Sequence, residues 1–509
     1  MLEPSRTYKR GLKQAVDWKL VICYLLLILI GWINIYASVH SSDPSSIFDW
    51  SVRSGKQFVW ICTSLGLAGL ILFVFNARLW EVISVPSYII VLGLLVLVIF
   101  VSNDVKGSHS WFELGPVKFQ PAEISKITTS LLLAATMSKS NFKLSRFKDF
   151  VLVALIIGVP MLTIVAESET GSALVYVGFL FMLYREGLSG WLLAIAGMCI
   201  LLFILTLKIT PYASLLTLLG IVSLCYCSQV GKGRRWLLTC GLPILFLAFF
   251  PGIWASLLET FIPGASVLDT VDPSVQAAIL GAGKMTFLLK FKPIYLLYLI
   301  VLVCLPVCMV RAYRDKHMYL WVAIGAFLLG VALIFSTQFL FNDVLQDHQR
   351  ARIEVLLGMK EDLAGVGYNV NQSKIAIGSG GMFGKGFLHG TQTTYGFVPE
   401  QSTDFIFCTV GEEWGFVGCT VVILLYVFMI CRIIIDAEKS REAFTRIYGY
   451  CVASCIFMHL FINIGMTIGL MPVIGIPLPL LSYGGSSLWA FTILIFIFIA
   501  LDREEKKYF

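Results

Sequence analysis

Long apolar runs separated by short polar breaks make up most of the chain. A helix that crosses a hydrocarbon core needs about 20 predominantly apolar residues and satisfies its own backbone hydrogen bonds. Runs of that kind lie near 19–38, 57–75, 83–102, 121–138, 149–166, 171–184 and 189–207. Others follow near 212–229, 236–255, 293–310, 318–340, 405–431, 447–470 and 487–502. The pattern predicts an all-α, polytopic integral membrane protein of about 14 transmembrane helices, of which 171–184 is the shortest. Composition agrees: 58% of the 509 residues are hydrophobic and 14% are charged, against roughly a quarter charged in soluble domains. The segment before the first run is basic and polar, and that run is long enough to span, so no cleavable signal peptide is expected.

Charge adds an orientation. Placing the N-terminus in the cytoplasm puts "RTYKRGLKQ", "KSNFKLSRFK", "GKGRR", "RAYRDKH", "KSREAFTR" and "REEKK" all inside, with both termini. These loops account for the net charge of +7 without a nucleic-acid partner. The 13 cysteines fall mostly in apolar runs, with no CxxC pair and no zinc spacing, and read as small buried hydrophobes.

Two long segments then fall outside, 256–292 and 341–404. The first mixes apolar and polar residues and reads as a loop, with a helix lying along the interface as the alternative. The second carries "GSGGMFGKGFLHG", too rich in glycine for regular structure. Its turns and nearby Lys374 and Lys385 suit a phosphate or diphosphate, and equally suit a flexible loop with solvated lysines. At its end "FVPEQSTDFIF" places Asp404 at the mouth of a helix. There it could cap the free N–H groups or act on a substrate, and residue chemistry leaves both open. Glu412 and Glu413 follow about two turns in, where acids are functional candidates by default. "WFELGPVKFQPAEISK" brings Glu123 and Lys126 to a helix begun by Pro121, "ESETGSA" puts Glu167 and Glu169 in an outer turn, and "GIPLPLLSYGGSS" is a broken entry to the last helix. Each alone is a cap or a turn. Together they point to a shared extracytoplasmic site, acidic and compatible with phosphate.

These clusters together resemble the SEDS family (shape, elongation, division and sporulation). The resemblance rests on "GYNVNQSKIAIGSGGMFGKGFLHGTQTTYGFVPEQSTDFIFCTVGEEWGFVG", "NIGMTIGLMPVIGIPLPLLSYGGSS" and "LGPVKFQPAEISK", covers about 15–207 and 341–502, and leans toward elongation-type members over division-type ones. It implies a ten-helix core, in two parts at 1–207 and 341–509, with about four further helices inserted at 208–340.

The resemblance also implies a peptidoglycan glycosyltransferase that polymerises lipid II into glycan strands at the outer face of the bacterial cytoplasmic membrane. Its implied partner is a class B penicillin-binding protein. Asp404 becomes the expected catalytic residue, as base or as ligand of a divalent metal cation (Mg or Mn). Expected substrate contacts are Lys374, Lys385, Gly378, Gly380, Gly381, Gln120, Glu123, Lys126, Glu400, Thr403, Ser482, Tyr483 and Ser486. Ser110, Ala122 and Glu169 depart from the family pattern, where arginine, serine and aspartate are usual. The competing classes are a flippase for lipid-linked precursors, whose polar groups would sit near the midplane, and a scaffold that only recruits the partner, which needs no acid at Asp404.

Overall fold

The computed structural model describes residues 16–39, 46–102, 110–114, 117–230, 240–261, 292–316, 318–345, 347–357, 359 and 367–507. Most of the outer segment 256–292 and the basic segments "RTYKRGLKQ" and "GKGRR" lie outside the described residues. The chain divides into two compact units, one of 1–190 with 361–509 and one of 191–360.

The first unit opens with α1 (Trp18–Val39), α2 (Arg53–Phe73) and α3 (Ala77–Val101). A short antiparallel hairpin, β1 (Phe112–Leu114) and β2 (Val117–Phe119), pairs Phe112 with Phe119 and delivers the chain to α4 (Pro121–Met137). Pro121 takes the first helical position, where its missing N–H costs nothing. After α5 (Phe147–Ala166), the expected short span resolves into α6 (Thr170–Val175), one 3₁₀ turn and α7 (Phe179–Arg185).

The second unit holds α8 (Gly190–Lys208), α9 (Pro211–Gln229), α10 (Leu242–Phe261), α11 (Pro293–Arg314), α12 (Met318–Phe339) and α13 (Asp347–Leu356). Leu202, Leu215, Leu218, Leu297 and Ile334 form its own apolar core.

The first unit resumes with α14 (Tyr368–Ser379), α15 (Thr391–Thr394), α16 (Ile406–Lys439), α17 (Ala443–Thr467) and α18 (Gly485–Lys507). Eleven helices among the described residues are long and apolar enough to cross a membrane, and shorter apolar helices cover Thr170–Arg185 and Leu242–Leu257. Every expected span has a helix over most of its length, so the chain is a polytopic, all-α membrane protein. In the first unit α17 packs against α4 and α16, α16 against α1, and α18 against α2. α17 is the most enclosed, with 83% of its apolar window buried, because partners meet it on several sides.

α16 contains a break. Gly415 has φ +65° and ψ −161°, which no helix accommodates, and a glycine at such a point is a recognised cause of a sharp kink. The glycine-rich stretch before α15 docks there. Phe416 N donates to Gly381 O at 2.9 Å and Val417 N to Met382 O at 3.1 Å, while Lys385 N and Gly386 N donate to the carbonyls of Glu412 and Glu413, both at 3.0 Å. A Cβ on Gly384 would stand 2.0 Å from Glu413 O, so only glycine lets the backbones approach this closely.

Candidate active site

Asp404 lies half-buried in the turn 401–405 that leads into α16. The N-cap position itself is Phe405, which makes no side-chain capping bond. The neighbouring hydroxyls serve the turn instead. Ser402 Oγ accepts from the Arg53 guanidinium, and Thr403 Oγ1 donates to Glu400 O at 3.2 Å.

Three non-glycine residues in and around this region, Glu400 (φ +50°), Leu480 (φ +67°) and Ser168 (φ +66°), hold left-handed backbone. Such conformations cost about 1–3 kcal/mol each and gather at functional sites.

The segment 468–484 between α17 and α18 is irregular and lies against Asp404. Gly475 (φ +76°) sits so close that an added Cβ would be 3.3 Å from Asp404 Oδ2. Asn463, fully buried on α17, donates its amide to Asp404 O at 2.8 Å and to Ile476 O at 2.7 Å. Ser482 Oγ donates to Thr403 O at 2.6 Å, and Tyr483 N donates to Ser402 O at 2.8 Å. Turn and segment are thus stitched together through backbone and hydroxyl groups on both sides of the carboxylate.

The acidic turn after α5 reaches the same segment from another direction. A Cβ on Gly171 would collide with Ile476 Cγ1 at 2.7 Å and Ile474 Cγ2 at 2.9 Å. Glu167 is fully buried, and neither carboxylate oxygen has a hydrogen-bond partner. Burial, and next to it the charge of Glu169, push its carboxyl up to about 8. Glu169 itself accepts from Ser110 Oγ at 2.7 Å.

The expected substrate contacts divide into groups. Asp404, Glu400, Thr403, Ser482 and Tyr483 come together around the turn. Lys374, exposed on α14, has its ammonium over Gly469, whose added Cβ would be 2.5 Å from Nζ, so it borders the same segment. Gln120, largely buried, precedes α4, and Ser486 is half-buried in the first turn of α18.

Glu123 and Lys126 are sealed inside, each 2% exposed, and Lys126 Nζ donates to Glu123 Oε1 at 2.8 Å. They face protein, not an open cleft.

In the glycine-rich stretch, where Gly378, Gly380, Gly381 and Lys385 are expected to meet a diphosphate, the polar groups are engaged within the protein. The N–H groups of Gly380, Gly381, Gly384, Lys385 and Gly386 all donate to backbone carbonyls. Lys385 Nζ donates to Glu412 Oε1 and Thr391 Oγ1, each at 2.7 Å. Glu412 also accepts from Gln392 N at 2.8 Å and Thr393 N at 2.9 Å, and so anchors α15. The stretch is a clasp on the broken helix, and Glu412 is its buried anchor.

Arg53 escaped the sequence reading. Its guanidinium, exposed at the start of α2, bonds Ser402 and stands 5.8 Å from the centre of the Tyr483 ring. The only signal available was an arginine at a helix end, which reads equally well as a helix boundary. His459 and Asn463 were missed for the same reason: each is a lone polar residue in an apolar helix whose partners are remote in sequence.

Comparison with known proteins agrees with this architecture. The MrdB of Escherichia coli (strain K12), called a peptidoglycan glycosyltransferase, is 41% identical over 203 residues, which are 37% of this chain and 55% of MrdB. The chain therefore spans about half the length of that relative. The RodA of Treponema pallidum (strain Nichols), with the same designation, is 29% identical over 498 residues, 96% of this chain and 98% of that one. A solved structure described as "Structural coordination of polymerization and crosslinking by a peptidoglycan synthase complex" superposes with a TM-score of 0.54 at 21% identity, covering 96% of this chain and 98% of that chain. At that identity the likeness concerns the fold alone. The profile of the FtsW, RodA and SpoVE family, described as "Cell cycle protein", matches residues 17–243 and 280–507, and with that coverage the chain belongs to this family.

Proposed function

We propose that this chain polymerises lipid II into glycan strands at the outer face of the bacterial cytoplasmic membrane, during cell elongation. The observation that carries the proposal is the setting of Asp404: a half-buried carboxylate in a strained turn, packed against Gly475 of an irregular segment that several elements hold in place. Irregular backbone within a membrane protein is tolerated where it is buried in protein or lines a cavity. The designation of the MrdB and RodA relatives as peptidoglycan glycosyltransferases supports the reaction type.

In this reading Asp404 is the general base. It takes the proton from the 4-hydroxyl of the acceptor GlcNAc. That oxygen attacks the anomeric carbon of the donor MurNAc, and undecaprenyl diphosphate departs with inversion. The leaving group needs no proton, so one carboxylate suffices. Arg53 and Lys374, cations bordering the turn and the segment, are placed to meet the diphosphate charge.

No cluster of three or more His, Cys, Asp or Glu residues that could hold a metal exists among the described residues. Mg²⁺, however, binds through one or two carboxylates together with substrate phosphates. Asp404 would be the protein carboxylate for such a cation, which supplies charge neutralisation when bound.

In this reading both termini lie in the cytoplasm, which the excess of Lys and Arg in the short loops supports, and the partner is a class B penicillin-binding protein, as the family resemblance implies. Incubating the purified chain with lipid II, with and without that partner, tests the proposal. Glycan polymer is the expected product, and lipid II left intact under both conditions overturns it. Cysteines near Gly381, in a background without native cysteines, should react with an impermeant reagent added outside.

A further inference from the structure

His459 is fully buried on α17, one helical turn before Asn463. Its Nδ1 lies 3.2 Å from Pro477 O, and its Nε2 lies 2.7 Å from Lys126 Nζ. A carbonyl only accepts, so Nδ1 carries the proton, and Nε2 is left to accept from the Lys126 ammonium. Lys126 is itself held by Glu123 at 2.8 Å, and both His459 and Lys126 face the Phe491 ring, at 4.9 Å and 5.4 Å from its centre.

The imidazole therefore has one tautomer and one orientation, fixed from α4 and α18, and it aims a single donor at the segment that touches Asp404. Asn463 binds the adjacent carbonyl, that of Ile476, and also that of Asp404. His459 and Asn463 are two successive rungs between α17 and the backbone that frames the carboxylate.

We infer that His459 is a positioning residue for glycosyl transfer: through the Pro477 carbonyl it fixes residues 474–477 against Asp404, and the Glu123–Lys126 pair locks the imidazole for that role. The inference rests on the catalytic reading of Asp404. Displacing reacting groups by about 1 Å can cost a hundredfold in rate, so a small relaxation of this segment is enough to matter.

Three variants separate the two contacts. In His459→Asn the side-chain amide takes the place of Nδ1 and can still donate to Pro477. In His459→Gln the amide oxygen takes the place of Nε2 and keeps only Lys126. His459→Phe keeps the ring on Phe491 and loses both bonds. Purified variants are compared with wild type by thermal midpoint, by kcat and KM for lipid II, and by hydrogen exchange at the amides of Ile474, Gly475, Ile476 and Leu478 without substrate. The expected result is kcat lower by ~10-fold or more in the Gln and Phe variants, with KM near wild type and faster exchange at 474–478. His459→Asn should restore both kcat and protection to within a few-fold of wild type. Equal losses in the Asn and Gln variants would overturn the inference, as would wild-type kcat in a folded His459→Phe protein. Exchange is read without turnover, so a wild-type chain that makes no polymer removes the glycosyltransferase reading while the exchange comparison still decides whether His459 orders the segment.

Discussion

Gly475 faces the carboxylate of Asp404: a methyl group on Gly475 would stand 3.3 Å from the aspartate Oδ2, and Gly475 holds φ at +76°. The tight approach and the left-handed backbone both disfavour a side chain there. Gly475→Ala is expected to cost about 1–2 kcal/mol from the left-handed backbone alone, lowering the thermal midpoint by a few degrees. Polymerisation of lipid II should fall further, by roughly 10-fold or more, because the methyl group displaces the carboxylate. Assaying both properties on the same preparation checks the ratio. A loss of stability with turnover unchanged would show that the contact is only structural.

Asp404→Asn separates catalysis from capping. Asparagine caps a helix about as well as aspartate, and the N-cap position here is Phe405 without a capping bond. The variant should therefore insert and melt like wild type yet lose polymerisation by ~100-fold or more. A titration of divalent cation run in parallel distinguishes loss of a base from loss of a ligand, since only the latter shifts the cation requirement.

Much of the fold was legible because a bilayer imposes a length on each apolar run. The short stretch at 171–184 was the exception in form: a 3₁₀ turn at Tyr176–Gly178 divides it. The break at Gly415 could not be read, because "EEWGFVG" continues an apolar helix and the stretch that clasps it lies some thirty residues earlier in the chain, a pairing that no local pattern encodes. The same clasp explains why glycines 378–386 looked like an anion cradle: composition reports backbone freedom, and only the fold decides which carbonyls take the N–H groups. Asp404 was visible through its motif. Asn463, His459 and Arg53 were not, since each acquires its role from partners far away in sequence.

Arg53 is one of the two cations proposed to meet the diphosphate. It is already held by Ser402 and the Tyr483 ring, which reduces the freedom lost when it takes a further ligand. Arg53→Lys keeps one charge but loses the planar fork, and Arg53→Gln loses the charge as well. A charge-assisted hydrogen bond contributes about 1.5–3 kcal/mol, so Arg53→Gln should raise KM for lipid II by roughly 10-fold or more, with Arg53→Lys in between. An unchanged KM in both would remove Arg53 from the diphosphate.

The two lysines of the outer loop should behave differently. Lys385 is the cation on buried Glu412, whereas Lys374 makes no ion pair among the described residues. Lys385→Met leaves a buried carboxylate short of its charged partner and is expected to cost about 1–3 kcal/mol of stability. Lys374→Met should leave the melting profile unchanged and raise KM for lipid II. Thermal melts of the two variants in the same detergent check this, and equal midpoints would contradict the clasp.

Glu167 predicts a pH dependence whose sign is fixed by its burial. Its carboxyl titrates at about 8 in the folded chain, against 4.5 for an ordinary glutamate. Between those values the folded state holds a proton that the unfolded state has released, so stability falls as pH rises through this window and levels off above about 8. Glu167→Gln has nothing to ionise and should escape the fall. The variant's thermal midpoint should match that of wild type near pH 4.5, exceed it by a growing margin up to pH 8, and keep a constant lead beyond. Melting both proteins across that range is the measurement. A constant difference at every pH would mean that Glu167 is ionised in the folded chain and paired with a cation, and that its burial is compensated by a ligand rather than by a retained proton.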